Sequence, residues 1–78
     1  MELKEQKISM LNNLIANETL QIFQHQMFID AADAGTTGND TADQAIQRQA
    51  VNARAVVAAC GRRLDVYAKA LADIQALT

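Results

Sequence analysis

The chain has 78 residues and a net charge of −2 at pH 7, and half of its residues are hydrophobic although only two phenylalanines and one tyrosine are aromatic. This length predicts a single domain, residues 1–78, and the acidic balance argues against bulk electrostatic attraction to nucleic acid or to anionic lipid. The single cysteine excludes an intrachain disulfide, and no apolar run reaches the ~20 residues needed to cross a membrane, so no membrane partner is predicted.

The first predicted element is a helix over residues 3–34, which contain no proline or glycine. Isoleucines recur in it with a spacing of seven, at Ile8, Ile15, Ile22 and Ile29. This is the heptad spacing of a row of residues that packs against another helix. The adjoining row, three residues further on, consists of Leu11, Glu18, His25 and Ala32, so half of it is polar. The two rows together are the predicted seam of this helix.

A turn is predicted at residues 35–40, the only stretch with turn composition, and Gly35 is placed to end the first helix in the left-handed conformation. The second helix is predicted over residues 41–76, with Thr41 to Gln44 in the form of an N-terminal capping box. Gly61 interrupts its sequence, but the heptad pattern continues unchanged through this residue. We therefore expect one continuous helix, and a break at Gly61 that gives three helices is the alternative.

The second helix also carries two rows with a spacing of seven: Ile46, Ala53, Cys60, Tyr67 and Ile74, and Ala50, Val57, Leu64 and Leu71. Matching these rows with those of the first helix predicts an antiparallel hairpin. In an antiparallel pair, the a positions of one helix share layers with the d positions of the other. A fold point between residues 37 and 38 satisfies this rule in every layer, and it places Ile22 opposite Ala53 and Glu18 opposite Val57. The predicted fold class is all-α, an antiparallel two-helix hairpin that resembles a coiled coil.

Each predicted helix also carries apolar residues on the side away from this seam. They are Ala16, Leu20, Phe23 and Met27 in the first helix and Val51, Ala55, Ala59 and Val66 in the second. A helix that is apolar on two sides is buried on two sides. The pattern predicts self-association into a bundle of four or more helices, most simply as a dimer. The alternative is a groove for a helix of a different protein.

Polar residues at the seam are interpreted as a layer that sets register and the choice of partner: Glu18, His25 and the flanking Arg54. A metal pair or an acid–base pair formed by Glu18 and His25 is the alternative. Their separation of ~10 Å along the helix axis and the missing Glu-x-x-His spacing of metal-binding bundles argue against that alternative.

Other residues outside the apolar rows are interpreted as surface charge. Arg62 and Arg63 are predicted to project away from the seam, with contact to an acidic partner or a phosphate as the alternative. Four aspartates are predicted to gather at the hairpin tip as a solvated acidic cap or a docking point for a basic partner: Asp30, Asp33, Asp40 and Asp43. Cys60 is predicted to be a small core residue.

The sequence shows no catalytic, cofactor-binding or metal-binding constellation, so the predicted function is not enzymatic and needs no cofactor. We expect a small interaction protein that acts as an inhibitor, adaptor or chaperone of another protein through an exposed apolar helix face. A dimeric nucleic-acid-binding regulator and a structural subunit of a larger helical assembly are the alternatives. The lone thiol and the charged N-terminus, which does not resemble a secretory signal, predict a cytoplasmic location.

Overall fold

The computed structural model describes residues 2–76, so Met1, Leu77 and Thr78 of the predicted domain lie outside the described residues. The chain forms two α-helices, α1 (Glu2–Asp33) and α2 (Asp40–Ala76), which pack against each other. The described residues make a rod 59 Å long and 16 by 14 Å across. The predicted all-α two-helix hairpin is confirmed. Helix α1 begins and ends one residue before its predicted bounds, and α2 begins one residue early.

Gly35 ends α1. Its φ angle is 116°, a backbone conformation that residues with a side chain rarely adopt. The amide of Ala34, just before it, still donates to the carbonyl oxygen of Asp30 at 3.0 Å, which closes the last turn before the chain leaves the helix. The prediction that Gly35 ends the first helix in a left-handed conformation is confirmed.

Asn39, and not the predicted box at Thr41, caps the start of α2. The Asn39 Oδ1 accepts a hydrogen bond from the Ala42 amide at 3.0 Å, and its carbonyl oxygen accepts one from the Asp43 amide at 2.9 Å. Asp43 Oδ1 in turn accepts hydrogen bonds from the amide and the hydroxyl of Thr37 at 2.8 and 2.9 Å. The capping prediction is wrong because asparagine is an equally favoured N-cap and stands two residues earlier.

Helix α2 runs through Gly61 without a break, so the three-helix alternative is wrong. A β-carbon added at Gly61 would meet no atom within 4 Å. Close packing inside the hairpin therefore does not require glycine at this position, which carries the ordinary cost of glycine in a helix, ~1 kcal/mol relative to alanine.

The core of the hairpin is the narrow seam between the helices. The buried apolar residues all belong to the predicted heptad rows: Leu11, Ala32, Ala50, Ala53 and Cys60. Four of the five are small, which allows the backbones to approach closely but buries little area per residue. The four isoleucines of α1 are only half-buried. Much apolar area therefore remains in contact with water.

The two helices are displaced along their axes from the predicted register. Glu18 pairs with Arg63, which lies beyond the predicted layer partner Val57 in α2, and Arg54 Nη2 lies 3.8 Å from Asp33 Oδ1. In the predicted register Arg54 would lie ~18 Å along the axis from Asp33, farther than the two side chains together extend. We infer a displacement of roughly half a heptad, since an arginine side chain extends towards the N-terminus of its own helix and thereby covers the remaining distance to each carboxylate. Because seam residues recur every three or four positions, such a slip still sets seam residues opposite one another, and spacing alone does not choose between the registers.

Candidate functional site

Glu18, Arg63 and Cys60 form a polar cluster between the two helices. Arg63 Nε donates to Glu18 Oε1 at 2.7 Å, and Arg63 Nη2 donates to Glu18 Oε2 at 3.2 Å. The same Nη2 lies 3.3 Å from Cys60 Sγ. The Glu18 side chain is only 15% exposed. The guanidinium therefore engages both oxygens of a carboxylate that is largely shielded from water, the geometry of strong arginine–carboxylate pairs.

The cluster shifts the pKa values of all three of its members, and the Glu18 carboxylate raises that of the Arg63 guanidinium. The hydrogen bonds that Arg63 donates to Glu18, and secondly a hydrogen bond from the Cys60 thiol to the same carboxylate, hold the pKa of the Glu18 carboxyl below its ordinary value. The hydrogen bond to Glu18, and secondly burial, raise the pKa of the Cys60 thiol. At neutral pH the cluster thus holds a carboxylate, a guanidinium and a neutral thiol. Because the thiolate is the reactive form of cysteine, this arrangement suppresses nucleophilic chemistry at Cys60.

Arg63 is the residue that sequence reasoning missed. It was predicted to project outward, but it occupies the position directly before Leu64 in the seam, a flanking position from which long side chains reach across to the other helix. That position is the signal from which the pair with Glu18 could have been found. Arg62, one residue earlier, is exposed.

The residues of the predicted polar layer have separate partners. Arg54 lies beside Asp33 and both side chains are exposed. The Nδ1 atom of His25 lies 2.8 Å from the carbonyl oxygen of Gln21, one turn back on the same helix. Because a carbonyl oxygen only accepts, Nδ1 carries the proton in that bond. The His25 ring also meets Phe28 edge-on, with ring centroids 5.5 Å apart. The structure therefore does not join His25 or Arg54 to Glu18.

The four aspartates predicted at the hairpin tip also have different surroundings. Asp30 accepts a hydrogen bond from Gln26 Nε2 at 3.1 Å. Asp33 lies beside Arg54, and Asp43 accepts the two hydrogen bonds from Thr37. Asp40 and Asp43 lie in the first turn of α2, where negative charge interacts favourably with the helix dipole. Among residues 2–76, no three histidine, cysteine, aspartate or glutamate side chains are placed to share a metal ion.

The outer face of α1, defined by Ala16, Leu20, Phe23 and Met27, lies outside the contact with α2. Leu20, Phe23 and Met27 are 63, 62 and 44% exposed, and Ala16 is exposed as well. The four residues follow one another at spacings of four, three and four, so they form one stripe along the helix. The hairpin contact leaves this apolar stripe in water.

The outer face of α2, defined by Val51, Ala55, Ala59 and Val66, differs in character. Val51 and Val66 are exposed, whereas Ala59 is half-buried. Charged side chains accompany the stripe, among them Arg62 and Lys69, and Lys69 Nζ lies 3.2 Å from Asp73 Oδ2. Of the two outer faces, that of α1 is therefore the more continuous apolar surface.

Comparison of the chain with models of known protein families, with curated proteins and with solved structures gave no match. Within the described residues, neither helix combines the length and the hydrophobicity that crossing a lipid bilayer requires. Two depressions of about 530 and 350 Å³ lie along the first turns of α2 and include neither Glu18 nor Cys60.

Proposed function

We propose that this chain is a small, non-enzymatic protein-interaction module, of the inhibitor, adaptor or chaperone type, whose binding surface is the outer face of α1. The observation that carries the proposal is the exposure of Leu20, Phe23 and Met27 on one stripe. Fully burying side chains of this size is worth ~1.5–3 kcal/mol each. A contiguous apolar patch in water is typical of a surface to which another protein binds.

The absence of charge on the outer face of α1 supports a protein partner. Between Ile8 and Ile29 the only aspartate, glutamate, lysine or arginine is Glu18, and its carboxylate is bound by Arg63. The polar residues interspersed among the apolar ones are mostly amides, such as Asn13 and Gln24. Charged residues are depleted at the centres of protein–protein interfaces, because a buried charge must lose its hydration.

Nucleic acid is the less favoured partner of this surface. Binding to phosphates requires cations at the contact, whereas the outer face of α1 offers apolar groups and amides. Arg54 and Arg63 each face a carboxylate of the same chain, which neutralises part of the positive charge on α2. A nucleic-acid-binding regulator is therefore a less favoured function than the protein-interaction module. A structural subunit of a larger assembly is also less favoured, because no further feature of the described residues supports it.

Photo-crosslinking in cells that produce the natural chain tests the proposal. A benzophenone amino acid replaces Phe23, and the matched control carries it at Lys69, an exposed position on the charged side of α2. We expect discrete protein adducts from position 23, to a second copy or to another protein, and few from position 69. Adducts to nucleic acid, or equal labelling from both positions, would contradict the proposal.

A further inference from the structure

We infer that a second copy of this chain occupies the outer face of α1, with the two α1 helices antiparallel about a two-fold axis that passes between Leu20 and Phe23. The inference rests on the proposed function, since it names the occupant of the same surface. Surface area, side-chain complementarity and charge carry it.

The hairpin exposes more surface than a folded monomer of its size. Its accessible surface is 5711 Å², whereas a folded monomeric protein of 8.5 kDa exposes about 4,650 Å². The excess of roughly 1,000 Å² is close to the ~800 Å² that each partner buries in an interface of standard size. One further interface of ordinary size on each chain would remove the excess.

The outer face of α1 is complementary to itself in the antiparallel direction. Its residues recur at alternating spacings of three and four, the spacing of a helix–helix seam. About the proposed axis, Leu20 lies opposite Phe23 of the second copy, and Ala16 lies opposite Met27 of the second copy. The second of these layers sets a small side chain against a large one. Because the axis is two-fold, each contact occurs twice.

The next layer selects this register among its neighbours. It sets Asn13 opposite Asp30 of the second copy, so that an amide can donate to a carboxylate. A slip of three residues in one direction would place Asp30 against Ala16 and leave a charge on an apolar surface. A slip of three residues in the other direction would move Phe23 from Leu20 onto Asn17.

Charge also selects the antiparallel direction. A parallel pair would place Asp30 of one copy beside Asp30 of the other, and it would align the dipoles of the two α1 helices. The antiparallel pair separates these carboxylates by about half the length of α1 and opposes the dipoles. It also leaves the charged outer face of α2 in water. A different protein that binds the outer face of α1 must then displace the second copy.

Disulfide trapping tests the direction. Chains with Ala16→Cys and chains with Met27→Cys, both also carrying Cys60→Ala so that no other thiol remains, are mixed and oxidised, with a size tag on one of them. The antiparallel pair predicts a mixed disulfide between the two kinds of chain. Disulfides formed only between identical chains would show a parallel pair and overturn the proposed arrangement.

Sedimentation equilibrium at micromolar concentration tests the self-association. We expect a dimer for the natural chain and a dissociation constant raised at least about tenfold by Phe23→Asp. Asn52→Asp, which adds the same charge to the exposed side of α2, is the control and should leave the mass unchanged. Circular dichroism at the same concentrations shows whether each variant keeps its helices.

A pair of substitutions at Asn13 keeps the test decisive if Phe23→Asp unfolds. Asn13→Asp should weaken the dimer and Asn13→Lys should strengthen it, because both face Asp30. If the two substitutions changed the dissociation constant of the dimer equally, Asn13 would not lie opposite Asp30 and the proposed register would be wrong. If the natural chain is a monomer but still forms adducts with a different protein at position 23, then a second copy does not occupy the outer face of α1. The proposed function would stand in that case. A monomer without such adducts would refute both.

Discussion

Glu18 and Arg63 lie 45 residues apart in the sequence and form a two-pronged ion pair across the two helices of the hairpin. The same guanidinium contacts Cys60, which is fully buried. The rest of the seam is mostly apolar and repeats itself along the axis. In a register that offered no cation, Glu18 would be a carboxylate in an apolar seam, and the loss of its hydration would be uncompensated. We therefore infer that this pair determines how the helices are aligned.

Removing the cation beside Glu18 should destabilise the hairpin more than removing the cation beside Asp33. Arg63→Gln leaves a largely shielded carboxylate without its partner, whereas Arg54→Gln leaves a carboxylate that water reaches easily. We expect a clearly lower melting temperature for Arg63→Gln, and a change within ~1 kcal/mol in the free energy of unfolding for Arg54→Gln. Thermal melts at one protein concentration measure both. Equal losses would show that the Glu18 pair contributes no more than an exposed one.

The contribution of Glu18 to stability should disappear in acid. The pKa of its carboxyl is lowered in the folded chain from an ordinary value of 4.5, so the unfolded chain binds the proton at higher pH than the folded chain does. Linkage then makes the stabilisation fully present above about pH 4.5 and lost as the pH falls through the lower folded-state pKa. The difference in melting temperature between the natural chain and Glu18→Gln should therefore be largest near neutral pH and shrink below pH 4.5. A difference that stays constant in acid would contradict the assignment.

Engineered disulfides should report the displaced register. In chains that also carry Cys60→Ala, Ile22→Cys combined with Val57→Cys should cross-link within one chain. Ile22→Cys combined with Ala53→Cys, the pair expected from the heptad layers alone, should cross-link poorly, because a slip of half a heptad moves the two α-carbons beyond disulfide range. Electrophoresis of the oxidised and reduced chains distinguishes the two. If only the combination of Ile22→Cys and Ala53→Cys formed a disulfide efficiently, the register expected from the heptad layers would be correct.

Replacing Gly61 by alanine should stabilise the chain. The added β-carbon meets no atom within 4 Å and lies inside a regular helix, so the expected gain is ~1 kcal/mol in the free energy of unfolding. Gly35→Ala is the matched control and should destabilise the chain, because its φ angle of 116° is strained for a residue with a side chain. Chemical denaturation measures both changes. A loss of stability in Gly61→Ala would indicate that another chain approaches the backbone there.

Local features of the sequence were enough to predict most of the fold. The heptad spacing of the isoleucines and of the row around Ala53 determines which sides of the two helices meet, and Gly35 determines where α1 ends. The exposure of Leu20 and Phe23 follows from the same period, since they lie outside the seam rows. The start of α2 was misplaced because Asn39 and Thr41 are both favoured caps, and local preference does not choose between two caps so close together.

Only the tertiary structure decided the alignment of the helices along their axes and, with it, the composition of the polar cluster. A row of seam residues that recurs every three or four positions offers nearly equivalent partners after each such slip, so the pattern specifies a face and leaves the axial position open. The axial position is therefore determined by side chains that do not recur along the seam. Glu18 is the only carboxylate in its row, and its largely shielded charge is compensated by Arg63, which lies on the other helix and 45 residues away in the chain.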